Sequence, residues 1–362
     1  MSLQFGRKIG LIAYNPPVLT ANAAAPAGNN LVSTTLPGTT TPGAGLDLSD
    51  FRITFNISQS DYETPNLANI KVYNLGQNTK QSLKSEFQRI TLQGGYDFPN
   101  GTGVIFDGDI RQVLFGNDSN VDSYVEIIAA EGDIAYNNAV CSASLAKGAT
   151  NADQLAVILN SMQPYGVTKG YVPPALDSAP TTALSRGVVK FGLAKDQARA
   201  LAASTNTSWS IQDGKLTFIP LTSYVPGEAV VLNSETGLIG FPVQTPGGIN
   251  ILTLLNPRVQ IGSLVYVQPE DINQGVIANS GPILYGPGRL ENLSSAAFIA
   301  KISGSGFYKV LVAEHDGDTR GVAWYSKLVC LAVDKSAPAG KEVQPYYAGS
   351  VSVGTPTIES AP

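Results

Sequence analysis

A chain of 362 residues is longer than one ordinary domain, so two or three separate cores are expected. Charged residues make up 14% of it, against roughly 25% in typical soluble domains, and the net charge of −5 includes no run of Lys and Arg, which excludes the electrostatic footprint of a nucleic-acid binder. One histidine and two cysteines far apart, Cys141 and Cys330, exclude a site with several histidine ligands, a disulfide framework and a C-x-x-C pair.

The start, MSLQFGRKIGLIAYNPP, lacks an apolar signal core, and no later run approaches the ~18 apolar residues of a membrane helix. The expectation is a chain made and kept in the cytosol, without membrane insertion. A neutral polar surface rich in Ser, Thr, Asn and Gln suits a subunit whose faces are covered by neighbours, and stable secreted β proteins share that composition.

In chain order, residues 15–46 run through Pro, Gly, Ala, Thr and Asn without periodicity and predict a long loop. FRITFNI (51–57) alternates apolar and polar residues as a half-buried strand does, and IKVYNL (70–75) follows as another. Asn78 can cap a short helix reaching about Phe87. RITLQGGYDF, GVIFDGDIRQVLF and SYVEIIAAEGD continue as strands divided by Gly, Asn and Asp turns. Residues 1–140 thus read as one mostly antiparallel β domain carrying a helix.

Residues 141–232 change pattern. DQLAVILNSM (153–162) sets Leu155, Ile158, Leu159 and Met162 on one helical face, and a second helix is predicted from about Lys195 to Ala203. WSIQDGKLTFIP (209–220) predicts a hairpin turning at Asp213-Gly214, where both residues tolerate positive φ. With VVKF (188–191), these make a small α/β module. Residues 233–335 return to strands and tight turns, broken by a long loop at 268–306, and 336–362 form an extended tail. The fold class is mainly β with α+β elements, the α/β module being flanked by two β domains.

YVEIIAAEGD (124–133) and YSKLVCLAVD (325–334) echo each other: each opens with Tyr, has aliphatics at the fourth and fifth places and ends in Asp. Before each stand a Val-Leu pair, in RQVLFGNDSN and YKVLVAEHDGD, and an Asp-bearing polar turn. Two such strand-turn-strand blocks, each closing a β domain, suggest a duplication.

His315 beside Asp316 and Asp318 could look like a general base or metal ligand. In the echo FGNDSN holds that place without a histidine, so His315 reads as turn decoration rather than machinery. No Gly-x-Ser-x-Gly elbow marks a nucleophile, and the two acids lack the spacing of a calcium loop. Asp107-Gly108-Asp109 reads as a bulge or turn between strand halves. No phosphate-cradling loop occurs, Gly304-Ser305-Gly306 precedes a strand and reads as a turn, and Trp209 and Trp324 read as core. A glycosidase-type pair of carboxylates stays open here, because its members need not be neighbours in sequence. No catalytic, cofactor-binding or metal-binding residue is expected, and the chain is not expected to be an enzyme.

DFRITFNISQSDYETPNLANIKVYNLGQNT, GVIFDGDIRQVLFGND, WSIQDGKLTFIP, TGLIGFPVQTPGGINILTLLNPRVQIGSLVYV and FYKVLVAEHDGDTRGVAWYSKLVCLAVD resemble, in that order, the baseplate hub proteins of contractile-tailed bacteriophages. These are the relatives of the late control protein D family and of the hub part of type VI secretion spike proteins. The resemblance covers roughly 47–334, and segments 15–46 and 268–306 are long for the family. It implies two tail-tube-like antiparallel β-barrel or sandwich domains flanking the module, and a homotrimer presenting six such domains as a ring. Such a ring would join a six-fold tail tube to a three-fold spike. The implied partners are a second and third copy of the chain, the tail tube protein, the central spike protein and other baseplate proteins, with DNA passing through the channel without specific binding. The implied place is the virion's tail baseplate, assembled in the bacterial host cytoplasm. The alternatives are a six-fold tail tube or distal tail protein, and a tail-associated peptidoglycan hydrolase.

Overall fold

A computed structural model describes residues 6–15, 45–98, 101–177, 183–245, 248–268, 306–332 and 345–346. The protein is mainly β and antiparallel, with its helices concentrated in the middle of the chain. By its contacts it divides into two compact units, one of Gly6–Leu221 with Glu314–Trp324, the other of Thr222–Ala313 with the chain from Tyr325.

The first unit begins with β1 (Arg7–Tyr14), β2 (Leu46–Asp47), β3 (Ile53–Ser60), β4 (Leu67–Tyr73), helix α1 (Gln77–Ser85), β5 (Arg89–Tyr96), β6 (Thr102–Asn117) and β7 (Ser123–Ala130). Its strands lie in the order β3-β4-β7-β6-β5-β1-β2, antiparallel throughout. The period-two pattern becomes rows of buried side chains across β3, β4 and β7: Ile53, Val72 and Val125; then Phe55, Ile70 and Ile127; then Ile57, Ala68 and Ala129. Each large apolar member contributes about 1.5–3 kcal/mol by leaving water. A one-residue slip would turn all of them outward, and this fixes the register.

Helix α1 differs in one detail from the sequence expectation. Its cap is Gly76, with no side-chain cap bond, and Asn78 lies inside the first turn. Asn74, at φ 56°, does the local polar work instead, accepting from the Ser123 N–H and donating to Asp122.

The same unit continues with α2 (Asp133–Asn138), β8 (Val140–Leu145), α3 (Asn151–Met162), β9 (Thr168–Lys169), α4 (Pro174–Asp177), β10 (Val188–Leu193), α5 (Ala194–Thr205), β11 (Thr207–Gln212) and β12 (Lys215–Pro220). α3 starts before the predicted Asp153, because Thr150 and Asp153 form a reciprocal capping box. Leu155, Ile158 and Met162 of α3 and Ala198, Leu201 and Ala202 of α5 share a core with Trp209, Ile211, Leu216 and Phe218 of the β11–β12 hairpin. That hairpin turns at Asp213 (φ 49°) and Gly214 (φ 71°), as its sequence predicts. β8 and β10 form a separate two-stranded sheet, and β9 runs parallel to β12.

The second unit comprises β13 (Ala229–Val231), β14 (Val243–Thr245), β15 (Gly248–Leu254), β16 (Leu264–Tyr266), most of β17 (Phe307–Asp318) and β18 (Trp324–Ala332), and β19 (Pro345–Tyr346). β14, β15, β18 and β17 follow one another in its sheet. β16 pairs antiparallel with β17, and β13 pairs parallel with β16 and β19. Both echoed blocks are hairpins, β6–β7 and β17–β18. Apart from their margins and β19, the loops expected at 15–46 and 268–306 and the tail at 336–362 lie outside the described residues, as do Gly304 and Ser305.

Candidate functional site

His315 does not decorate a turn. It lies inside β17 and is 1% exposed, whereas the chain reverses between Asp318 and Ala323, where the Asp318 N–H donates to the Ala323 carbonyl at 2.8 Å. Gly317 explains the misreading. A Cβ there would stand 2.2 Å from Cζ of Phe55, so the glycine admits an aromatic ring rather than bending the chain.

The acids beside His315 bind the edge of β3. Asn56 donates to Asp316. Arg52 reaches both oxygens of Asp318, at 2.8 Å from Nη2 and 3.4 Å from Nε. Thr319 exchanges two hydrogen bonds with the Ile53 backbone, each 3.0 Å. Trp324 meets Phe55 edge to face at 5.6 Å, and Arg7 lies 5.5 Å from the centre of the indole while donating to the carbonyls of Gly321 and Val322 at 2.7 and 3.0 Å. The constellation that resembled an active site in sequence is a clasp on the first sheet.

Burial drives the His315 pKa down to about 4, with neighbouring Asp316 pulling weakly the other way. The imidazole is therefore neutral at pH 7. Because the folded value lies below the unfolded one, the unfolded chain takes up a proton first as pH falls. Stability from this group is complete above about pH 6.5 and drains away towards pH 4, by up to about 3 kcal/mol. Denaturant midpoints measured across that window should fall in the wild type, and the His315 share of the fall should vanish in His315→Gln. An unchanged slope in the variant would show that the imidazole is not the group responsible.

Asp107-Gly108-Asp109 proves to be a strand interior too, not a turn. Register slips lie on either side of it, between Leu92 and Gln93 along β5 and between Ile110 and Gln112 along β6. A Cβ at Gly108 would stand 2.6 Å from Cζ of Phe106 and 2.7 Å from the Ala130 carbonyl oxygen. Arg89 grips Asp107 with two bonds, 2.9 Å from Nε and 2.8 Å from Nη2, and the hydroxyls of Tyr14 and Thr91 donate to the same carboxylate at 3.0 Å. Burial opposes the Arg89 charge most strongly, but Asp107, Tyr14 and Asp109 together outweigh it and raise the guanidinium pKa. Burial, reinforced by Asp107, pushes the Tyr14 phenol up to about 12. Asp109 is raised by burial, against which the Ile134 N–H donates at 3.0 Å.

Arg52 and Arg89 were not singled out in the sequence, although a signal existed. Arg-Ile-Thr stands at 52–54 and again at 89–91, and each arginine clasps one of the two Asp-Gly-Asp strands. Trp209 and Trp324 are buried, as expected of core residues. An open cleft of about 560 Å³ is lined by Asp50, Phe51, Arg52, Tyr73, Asn74, Asp122 and Arg320. Within it Arg52 is engaged by Asp318 and lies 4.7 Å from the centre of the Tyr73 ring, while Asp122 accepts from Asn74. Among the described residues no group of three or more His, Cys, Asp or Glu is placed to hold a metal.

No family model and no curated protein matches the sequence. Among solved structures, the fold is similar to that of the 43 kDa tail protein of prophage MuSo2 from Shewanella oneidensis, with a TM-score of 0.50 at 9% identity over 90% of this chain and 98% of that one. Further matches are the tail protein from Neisseria meningitidis MC58, with a TM-score of 0.48 at 10% identity over 90% and 97% of the two chains, and the E. coli c3393 protein, a component of the type VI secretion system, with a TM-score of 0.47 at 8% identity over 82% and 77%.

Proposed function

We propose that this chain is a structural phage-tail protein, and within the tail the baseplate hub. In this reading three copies form a ring that adapts a six-fold tail tube to a three-fold spike and leaves a channel for DNA, and the chain has no enzymatic role. The observation that carries the reading is the fold similarity to the 43 kDa prophage tail protein over nearly the full length of both chains. The hub assignment and the four-part division at 140, 232 and 335 rest on the sequence blocks and on the pair of echoing hairpins.

Two surfaces suit burial against neighbours. The outer face of β8–β10 exposes Val140, Val189 and Phe191, the last two at 73% and 74%, and Lys190, the charged residue of this ribbon, is buried. β5 follows β6 only as far as Asp109, so among the described residues the outer half of β6 has no strand on that edge, beside exposed Leu114 and Phe115.

Native mass of the purified chain, alone and with a tail tube protein and a spike protein, tests the proposal. A trimer is the expected result. A six-copy ring would replace the hub by a tube or distal tail protein, and a monomer under every condition would overturn both. Lysis of purified cell wall, lost on substituting one carboxylate, would instead establish a hydrolase.

A further inference from the structure

The β11–β12 hairpin docks on the end of the first sheet through a polar joint in which Gln59, Asn66 and Glu131 are buried and Ser60, Gln212 and Asp213 are half-buried. Gln212 donates to the Ser60 carbonyl at 2.6 Å and accepts from Asn66 at 2.9 Å. Asn66 also donates to Glu131 at 2.7 Å, and Gln59 donates to the other Glu131 oxygen at 3.1 Å. Ile211 packs so closely on Gly132 that a Cβ there would stand 2.7 Å from its Cδ1. Glu131 is 0% exposed, and the Asp213 N–H donates to its carboxylate. Oδ1 of Asp213, at the tip of the hairpin, is buried without a hydrogen-bond partner.

An unpartnered carboxylate oxygen out of water is costly when ionised and far less so when protonated. Two carboxyl groups in one such place titrate as a pair, and the first proton is easier to remove than the second. The strongest influences on Glu131 are burial, Asp213, Asn66 and Gln59, none of them a cation. Around Asp213 stand Asp107 of β6 and Lys215 of β12. Arg89 of β5 is committed to Asp107, which also holds Tyr14 of β1; Asp109 accepts from Ile134, and Asp133 pairs with Arg111.

We propose that this joint is a proton-dependent latch: while Glu131 and Asp213 hold a proton between them the hairpin lies docked on the sheet, and when both ionise the hairpin lifts. Burial first, then Asp213, raises Glu131 well above the usual carboxylate range, and burial first, then Asp107, raises Asp213 to about 6. Folded values above unfolded ones mean that the docking free energy is complete in acid and is lost as pH rises through the folded values. The latch is therefore closed in mild acid and loosened in mild alkali.

Hydrogen exchange of the intact chain, corrected for intrinsic rates and read by mass spectrometry at about pH 5 and about pH 8.5, tests the latch. Protection of Thr207–Pro220 is expected to drop about tenfold or more between the two conditions, with far smaller changes in Ile53–Ser60 and Ser123–Ala130. Glu131→Gln and Asp213→Asn should each flatten the response. The second keeps a residue that tolerates the left-handed turn, so it decides the matter if the first fails to fold. A flat wild type, a response undiminished in Asp213→Asn, or a loss shared equally by the whole unit would overturn the proposal.

Discussion

Arg89→Ala is expected to cost about 3–5 kcal/mol, and Arg52→Ala about 1 kcal/mol or less, although both remove a two-bonded arginine from an Asp-Gly-Asp strand. Burial makes the difference. The Arg89 and Asp107 side chains are 7% and 14% exposed, whereas Arg52 is 41% exposed opposite Asp318 at 15%. Without Arg89, Asp107 is left inside the protein near Asp109 and Asp213, with the hydroxyls of Tyr14 and Thr91 as its remaining hydrogen-bond donors among the described residues. Water can solvate Asp318 once Arg52 is gone. Denaturant unfolding at neutral pH should separate the two variants by several-fold in lost stability, and adding Asp107→Asn to Arg89→Ala should return much of the loss. Equal losses for the two arginines would contradict the assignment of one clasp to the interior and the other to the surface.

Gly317→Val is the second large effect, at about 3 kcal/mol. In a turn between exposed ends, valine would cost little beyond local backbone strain. In β17 its Cβ alone enters the van der Waals space of Phe55, whose ring also bears Trp324. Phe55 can move only by disturbing Ile70 and Ile127 in its row, so the strain spreads into the core of the sheet. Gly317→Ala should show a smaller loss in the same direction. A midpoint shift no larger than that of an ordinary surface substitution would mean that the ring does not lie against this glycine.

These two positions also mark where sequence reasoning succeeds and where it stops. Ile53, Phe55 and Ile57 were legible because a strand covered on one face must alternate, and Leu155, Ile158 and Met162 because a helix face recurs every three to four residues. The turn at Asp213-Gly214 was legible because positive φ is a property of the residues themselves. Asp-Gly-Asp was misread for the same reason: its local chemistry favours a turn, while its true constraint comes from Phe55 and Arg52, the latter separated from Asp318 by 266 positions. The Thr150 cap was missed by a few residues because Asp153 is the other half of the same box. The Glu131–Asp213 joint had no periodic signature, since its members come from the ends of separate strands.

The sheet that begins at Arg7 is finished only by Glu314–Trp324, and this sets an order of events on the ribosome. About 100 residues must be added after Leu221 before the clasp exists, which takes ~5–20 s at ordinary rates of synthesis. Throughout that interval β3 is a bare edge strand, with Phe55 uncovered and its backbone free to pair with a neighbouring nascent chain. Chains released early, or translated in crowded polysomes, would therefore meet at β3, and the speed of synthesis through the segment between Leu221 and Trp324 becomes a determinant of how much protein reaches the folded state.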